Sequence, residues 1–294
     1  MKRYVLLFLS IVVCINTLSA QQVKMLDRIE SRIDSSFIAS FKNPKAYAGT
    51  EKSLLYGYNS EKSENIKSHY LYWISYLYYK KSISAFKEAD LELSKKYVEN
   101  AMNYLEKIRE KNSEYYSLLA YEQIFYFQFV KRQNMFIFMD KLNNSLKMAI
   151  ELDRSNPRAY YVNGYYDYYT PKEYGGKKKT ESFLLKAVRM KNPQRPFSPT
   201  WGIVDSYSIL IQYYIERGKK NKAKEMYQKA IEQYPKTWDI IRLQKKTLTV
   251  YALLANSHFI VYDNTWTGVG IGYPRRCLGK RETCVWCARI CSKP

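Results

Sequence analysis

The chain has 294 residues, 46% of them hydrophobic and 16% aromatic, and 48 lysines and arginines against 27 acidic residues give a formal net charge of +21. Thirty tyrosines exclude a disordered chain, which lacks the apolar area to offset the entropy of ordering. The charge points to acidic partners, anionic membrane surfaces or nucleic acid, but the lysines spread along most of the chain, as on solvated helix faces, rather than forming one patch.

Residues 1–20, MKRYVLLFLSIVVCINTLSA, have the build of a secretory signal peptide. Lys2 and Arg3 form a basic start, and Tyr4 to Val13 is an uncharged apolar run, short for a bilayer span. Ala20 offers a small residue at the cleavage point, and cleavage lowers the charge to +19. The expected location is exported and periplasmic. A retained anchor and a lipid on Cys14 are lesser alternatives, the latter because Val13 is bulkier than a lipoprotein signal favours. Export argues against nucleic acid as a partner.

Residues 21–65 begin QQVKMLDRIESRIDSSFIASF and read as a helical cap or an added helix layer. The helical region 66–255 follows, with few glycines and prolines, confined to corners. Its first segment, SHYLYWISYLYY, contains His69, which reads as a packing or surface residue. Ser94, Val98 and Ala101 are spaced four and three apart, on one helix face. The same spacing returns at Leu142, Leu146 and Ala149, leading into ELDRSNPRAYY, and again at Thr180, Leu184 and Ala187, with Pro157, Tyr160 and Gly164 between them.

The stretch YTPKEYGGKKKTE, 169–181, invites a phosphate-loop reading. That loop needs Gly-x-x-x-x-Gly-Lys-Ser/Thr, so that several backbone N–H groups converge on one anion. Before Lys179-Thr180, Lys178 and Glu173 occupy the two glycine positions, and the preceding segment is helical rather than a buried strand. The better reading is a corner. Thr170, Pro171 and Glu173 form a Thr-x-x-Glu capping box that starts one helical turn, and Gly175 and Gly176 end it in left-handed conformations. Lys177, Lys178 and Lys179 then open the next helix, at the unfavourable positive end of its dipole.

Residues 204–235 read VDSYSILIQYYIERGKKNKAKEMYQKAIEQYP, two amphipathic segments joined at Arg217-Gly218-Lys219. Tyr207, Leu210, Ile211 and Tyr214 share a face of the first segment, and Ala223, Tyr227 and Ala230 a face of the second, which Pro235 stops. With its aromatic, Leu-x-x-Tyr, Gly, Ala-x-x-x-Tyr-x-x-Ala and Pro, this unit of about 34 residues closely resembles the tetratricopeptide repeat (TPR). The clearest units are 142–190 and 204–237. From Ala149 to Ala187 is 38 positions, and from Ala187 to Ala230 is 43. The first excess falls in the corner and the second in NPQRPFSPTWG, 192–202, a longer connecting loop.

The resemblance implies an all-α fold, a right-handed superhelical array of antiparallel helix pairs. It also implies an extended groove that binds a protein or peptide partner. By the repeat's geometry Arg158, Tyr161, Tyr165 and Tyr168 line that groove, joined by the polar Asp205, Ser208 and Gln212 of the next unit. The alternative is that these rings pack between repeats. NPRAYY followed by YTPKEYGG further resembles exported bacterial TPR proteins, some of which accompany transporters. That implies a partner in the cell envelope. The runner-up function is a transporter-associated periplasmic subunit enclosing a small ligand.

No catalytic constellation assembles: the two histidines, His69 and His258, form no metal motif, and no Gly-x-Ser-x-Gly elbow occurs. No cofactor or metal is expected. Residues 256–294 change character to an irregular tail holding Cys277, Cys284, Cys287 and Cys291. Four thiolates suffice for zinc, but an oxidising compartment favours disulfides, and a non-native end to the reading frame is a third account. The oligomeric state is not legible.

Overall fold

In the computed structural model, Leu26 and residues 28–235 are described; the leader, Cys14 and the cysteine-bearing tail lie outside them. Every regular element among the described residues is helical. No described helix is long and apolar enough to cross a membrane. The described residues divide into two units, one of those up to 111 with 193–200, the other of 112–192 with 201–235.

The first unit holds α1 (Ile29–Ser40), α2 (Ala48–Ser60), α3 (Glu64–Lys87) and α4 (Leu91–Glu106). Ile29, Ile33 and Phe37 make the buried stripe of α1, at the spacing of one helix face. The region expected to be a cap, up to residue 65, thus holds two helices joined by a short 3-10 turn, Pro44–Tyr47, and the first residues of α3. Ser63 caps α3 by accepting from the Ile66 amide, and Asp90 caps α4 by accepting from Leu93 at 3.0 Å. α3 packs against α1, α2 and α4. Contact on several sides explains why its aromatic run shows no single apolar stripe. α4 is different. It buries Ser94, Val98, Ala101 and Leu105, and the Ser94 hydroxyl donates to the Ser82 carbonyl of α3 at 2.9 Å. The faint spacing at 94–101 therefore marks the second helix of a real pair. Residues 193–200, expected to be only a connection, are held in this unit, with the Thr200 amide on the Glu30 carboxylate at 2.7 Å and Phe197 edge-on to His69. Burial lowers the His69 pKa.

The second unit holds α5 (Ser113–Tyr126), α6 (Met135–Leu152), α7 (Pro157–Tyr169), α8 (Thr180–Arg189), α9 (Ile203–Glu216) and α10 (Lys220–Gln233). Consecutive helices pair as α5 with α6, α7 with α8 and α9 with α10. Short connections make each pair antiparallel. The first helices also touch in succession, α5 to α7 and α7 to α9, forming one layer over which the second helices lie. Of the expected second-helix residues, Leu142, Leu146 and Ala149, Thr180, Leu184 and Ala187, and Ala223 and Ala230 are buried, whereas Tyr227 is half-exposed and Met226 fills the inner face of α10 instead. Sequence spacing started the clearest repeat at 142, whereas the pair containing it starts at Ser113, because α5 carries too many aromatics to show a stripe. Close approach of α7 and α8 depends on Gly164, where an added Cβ would lie 2.6 Å from a Leu184 methyl.

Candidate functional site

The site proposed from sequence sits on α7, the helix that touches α5, α6, α8 and α9. Its start is built locally. Asn156 Oδ1 accepts from the Arg158 amide at 2.9 Å, and Pro157 occupies the first turn, where no N–H is required. The Asn156 side-chain amide in turn donates to Ser113 Oγ at 2.9 Å, and Ser113 donates to the Ala149 carbonyl at 2.6 Å.

Arg158 differs from its expected place. Its side chain is 0% exposed, and its Nε and a terminal nitrogen donate to the two Glu114 carboxylate oxygens at 2.6 and 2.5 Å. The other terminal nitrogen donates to Asn192 at 2.8 Å. Here the guanidinium fork clamps α5, α7 and the chain after α8, a use that matches its planar bidentate geometry.

Tyr161, Tyr165 and Tyr168 are also buried rather than open. The Tyr161 hydroxyl donates to the Tyr121 hydroxyl at 3.0 Å, and the Tyr121 ring stacks on Trp201, centroids 5.4 Å apart and 15° from parallel. Tyr161 meets Trp201 edge-on, and Tyr165 meets Tyr121 and Tyr169. The packing account of these rings thus describes their geometry. Offset and edge-to-face rings add stabilisation beyond the area they bury. Tyr168 donates to Glu216 at 2.6 Å, and Lys177 Nζ lies 3.4 Å from the other Glu216 oxygen and 5.0 Å from the Tyr168 ring.

The Tyr161 and Tyr168 phenols act here as hydrogen-bond donors. Burial, then the neighbouring Tyr121 and Asp205, hold Tyr161 well above its ordinary pKa; burial, then the Glu216 carboxylate, does the same for Tyr168. Both stay protonated at neutral pH. Among the described residues no group of three or more His, Cys, Asp or Glu side chains is placed to hold a metal ion.

Asp205, Ser208 and Gln212 are half-exposed on α9. Asp205 accepts from the Gly202 amide at 2.8 Å and Ser208 donates to the Val204 carbonyl at 3.2 Å, so both also serve their own helix.

The corner after α7 forms, by other means than expected. The short turn is 3-10, Lys172–Tyr174, and no capping box joins Thr170 to Glu173. Thr170 Oγ1 instead donates back to the Tyr166 carbonyl at 2.8 Å, closing α7, while Pro171 precedes the turn and Glu173 is exposed. Gly175 is left-handed, with φ of 87°, as expected. Gly176 is not among the left-handed residues; Lys177 is, with φ of 62°. Glycine is required at 176 for room, because a Cβ there would fall on the Thr170 carbonyl. Sequence reasoning also missed Asp167. Its carboxylate accepts from the Lys179 amide at 2.9 Å and the Thr180 hydroxyl at 2.6 Å, capping α8 from the body of α7. Asp167 is the one acidic residue of α7, the only local hint of this role.

No protein-family profile and no curated protein matches the chain. Among solved structures it is similar to TTC0263, a thermophilic TPR protein of Thermus thermophilus, with TM-score 0.46 and 14% identity over 75% of this chain and 99% of that one. The paired-helix architecture rests on the chain's own geometry.

Proposed function

We propose that this chain is a non-catalytic helical-repeat scaffold, exported to the periplasm by residues 1–20, that holds a protein or peptide partner in the cell envelope on its layer of first helices. One observation carries the reading. The half-exposed Asp205, Ser208 and Gln212 of α9 share that layer with the half-exposed Tyr121 and Tyr169, next to a cluster of rings locked by mutual stacking. A rigid aromatic floor bordered by polar side chains loses little side-chain entropy when a partner docks. The narrower reading, in which a transporter is that partner, rests on the resemblance alone. The small-ligand reading is weaker, because Tyr161 and Tyr165 both pack against Tyr121, and Tyr161 also against Trp201.

Retention of envelope proteins on the immobilised chain tests it, with Ser208→Arg/Gln212→Arg as the comparison. Proteins held by the parent should be lost from the variant, with its melting temperature unchanged. Identical retention by both, or none by the parent, would remove the first-helix layer as the binding face.

A further inference from the structure

α6 begins with five apolar residues in succession, Met135-Phe136-Ile137-Phe138-Met139. Five consecutive positions pass right round a helix, so only part of them can face a neighbour. Phe138 packs on Tyr126 and Phe127, with centroids at 5.5 and 6.2 Å. Further along, Leu142, Ser145, Leu146 and Ala149 bury the inner face. Phe136 and Ile137 point the other way and are 83% and 63% exposed. Met135 and Met139 flank them, half-exposed. The pair is held out from a fixed helix, not from a loose end.

The charges around it have one dominant sign. From 127 to 143 the charged residues are Lys131, Arg132 and Lys141 against Asp140, all of them exposed, while Lys147 further along pairs with Glu151 at 3.8 Å. The positive end of the α6 dipole lies at the same place. Two apolar side chains in a basic surround match an anionic bilayer surface, where rings enter the acyl boundary and cations meet phosphates. A second copy of the chain fits worse, since docking two such patches would bring like charges together.

We propose that the start of α6 is a membrane-docking wedge, with Phe136 and Ile137 inserting into the interface of an anionic bilayer and Lys131 and Lys141 contacting its headgroups. This surface is separate from the α9 side chains on which the partner-binding reading rests, and either can fail without the other.

The full chain is tested with vesicles of equal parts phosphatidylglycerol and phosphatidylcholine, and with phosphatidylcholine alone. Residues 1–20 are present in every sample, so their contribution is common to all. Phe136→Ser/Ile137→Ser should weaken sedimentation with anionic vesicles by about tenfold or more, given the apolar area withdrawn from the interface. Lys131→Gln/Lys141→Gln should weaken it by about fivefold per charge, an effect that fades with salt. The deciding measurement is hydrogen exchange. Anionic vesicles should slow exchange severalfold at the start of α6 in the parent and leave it unchanged in the serine variant. Exchange there that ignores vesicles would overturn the proposal, whatever the sedimentation shows. Protection that instead rises with protein concentration, or with an added acidic protein and no lipid, would also overturn it, in favour of a protein interface.

Discussion

The two ends of α7 are built on different plans. At the start, the amide of Arg158 is satisfied by Asn156, two residues away, and the proline beside it fits the first turn. At the far end, the Lys179 amide just before α8 and the Thr180 hydroxyl that opens it are met by Asp167, twelve residues before Lys179 and inside the preceding helix. The first arrangement is a local code and can be read from Asn-Pro. The second exists only once α7 and α8 are side by side. A cap that crosses between helices makes the corner part of the tertiary structure, so its stability should respond to changes on both sides.

The largest effect should come from the clamp just inside the start of α7. Glu114 is 24% exposed by its side chain and Arg158 not at all, so the two halves of the pair differ in what they leave behind. Glu114→Ala strands a buried guanidinium and should cost about 3–5 kcal/mol in urea unfolding. Arg158→Met removes the buried charge, keeps much of the volume and leaves a carboxylate that water can reach; about 1–2 kcal/mol is expected. Equal losses would mean that the pair acts by packing alone.

At the far end, Gly175 and Gly176 separate two uses of glycine. Gly176→Val places atoms on the Thr170 carbonyl and should cost about 2–3 kcal/mol, because backbone cannot yield as a flexible side chain does. Gly175→Val meets open space and suffers only its left-handed φ, costing about 1–2 kcal/mol. Reversal of that order in thermal melts would restore the expectation that both glycines are there for left-handed backbone.

Asp167→Ala should cost about 1–2 kcal/mol, the range of a lost N-cap. Hydrogen exchange should rise first in the opening turn of α8, and unchanged protection there would show that the Lys179 and Thr180 contacts contribute nothing.

What was legible in the sequence divides along the same line. Second helices such as α8 and α10 lie against few neighbours and show one small-residue stripe, so Thr180, Leu184 and Ala187 or Ala223 and Ala230 announce their faces. Helices α3 and α7 touch neighbours on several sides, and their tyrosines give no stripe to read. Repeat geometry therefore placed Tyr161, Tyr165 and Tyr168 on an open face, when Tyr121 and Trp201 cover the first two and Glu216 engages the third. Nothing near Arg158 in sequence announces Glu114, 44 residues earlier. The exposed Phe136 and Ile137 were overlooked for a related reason: in an apolar run, sequence does not say which residues are left over.

The smallest effects test whether anything of the expected capping box and lysine cluster matters. Thr170→Ala removes a hydroxyl that bonds back to the Tyr166 carbonyl within its own helix, a bond that competes with the helix rather than extending it. The cost should stay below about 0.5 kcal/mol, less than the roughly 1 kcal/mol typical of a lost N-cap. Lys178→Gln/Lys179→Gln should change stability by less than about 0.5 kcal/mol in either direction, since exposed charges contribute little. Lys177 differs from both, because its ammonium reaches Glu216 and the face of Tyr168. Lys177→Gln should therefore lose slightly more than the other two, and the difference should shrink in high salt, where a half-exposed ion pair is screened. If Thr170→Ala instead costs as much as Asp167→Ala, the two helices are capped independently at this corner, and the contrast between the ends of α7 fails.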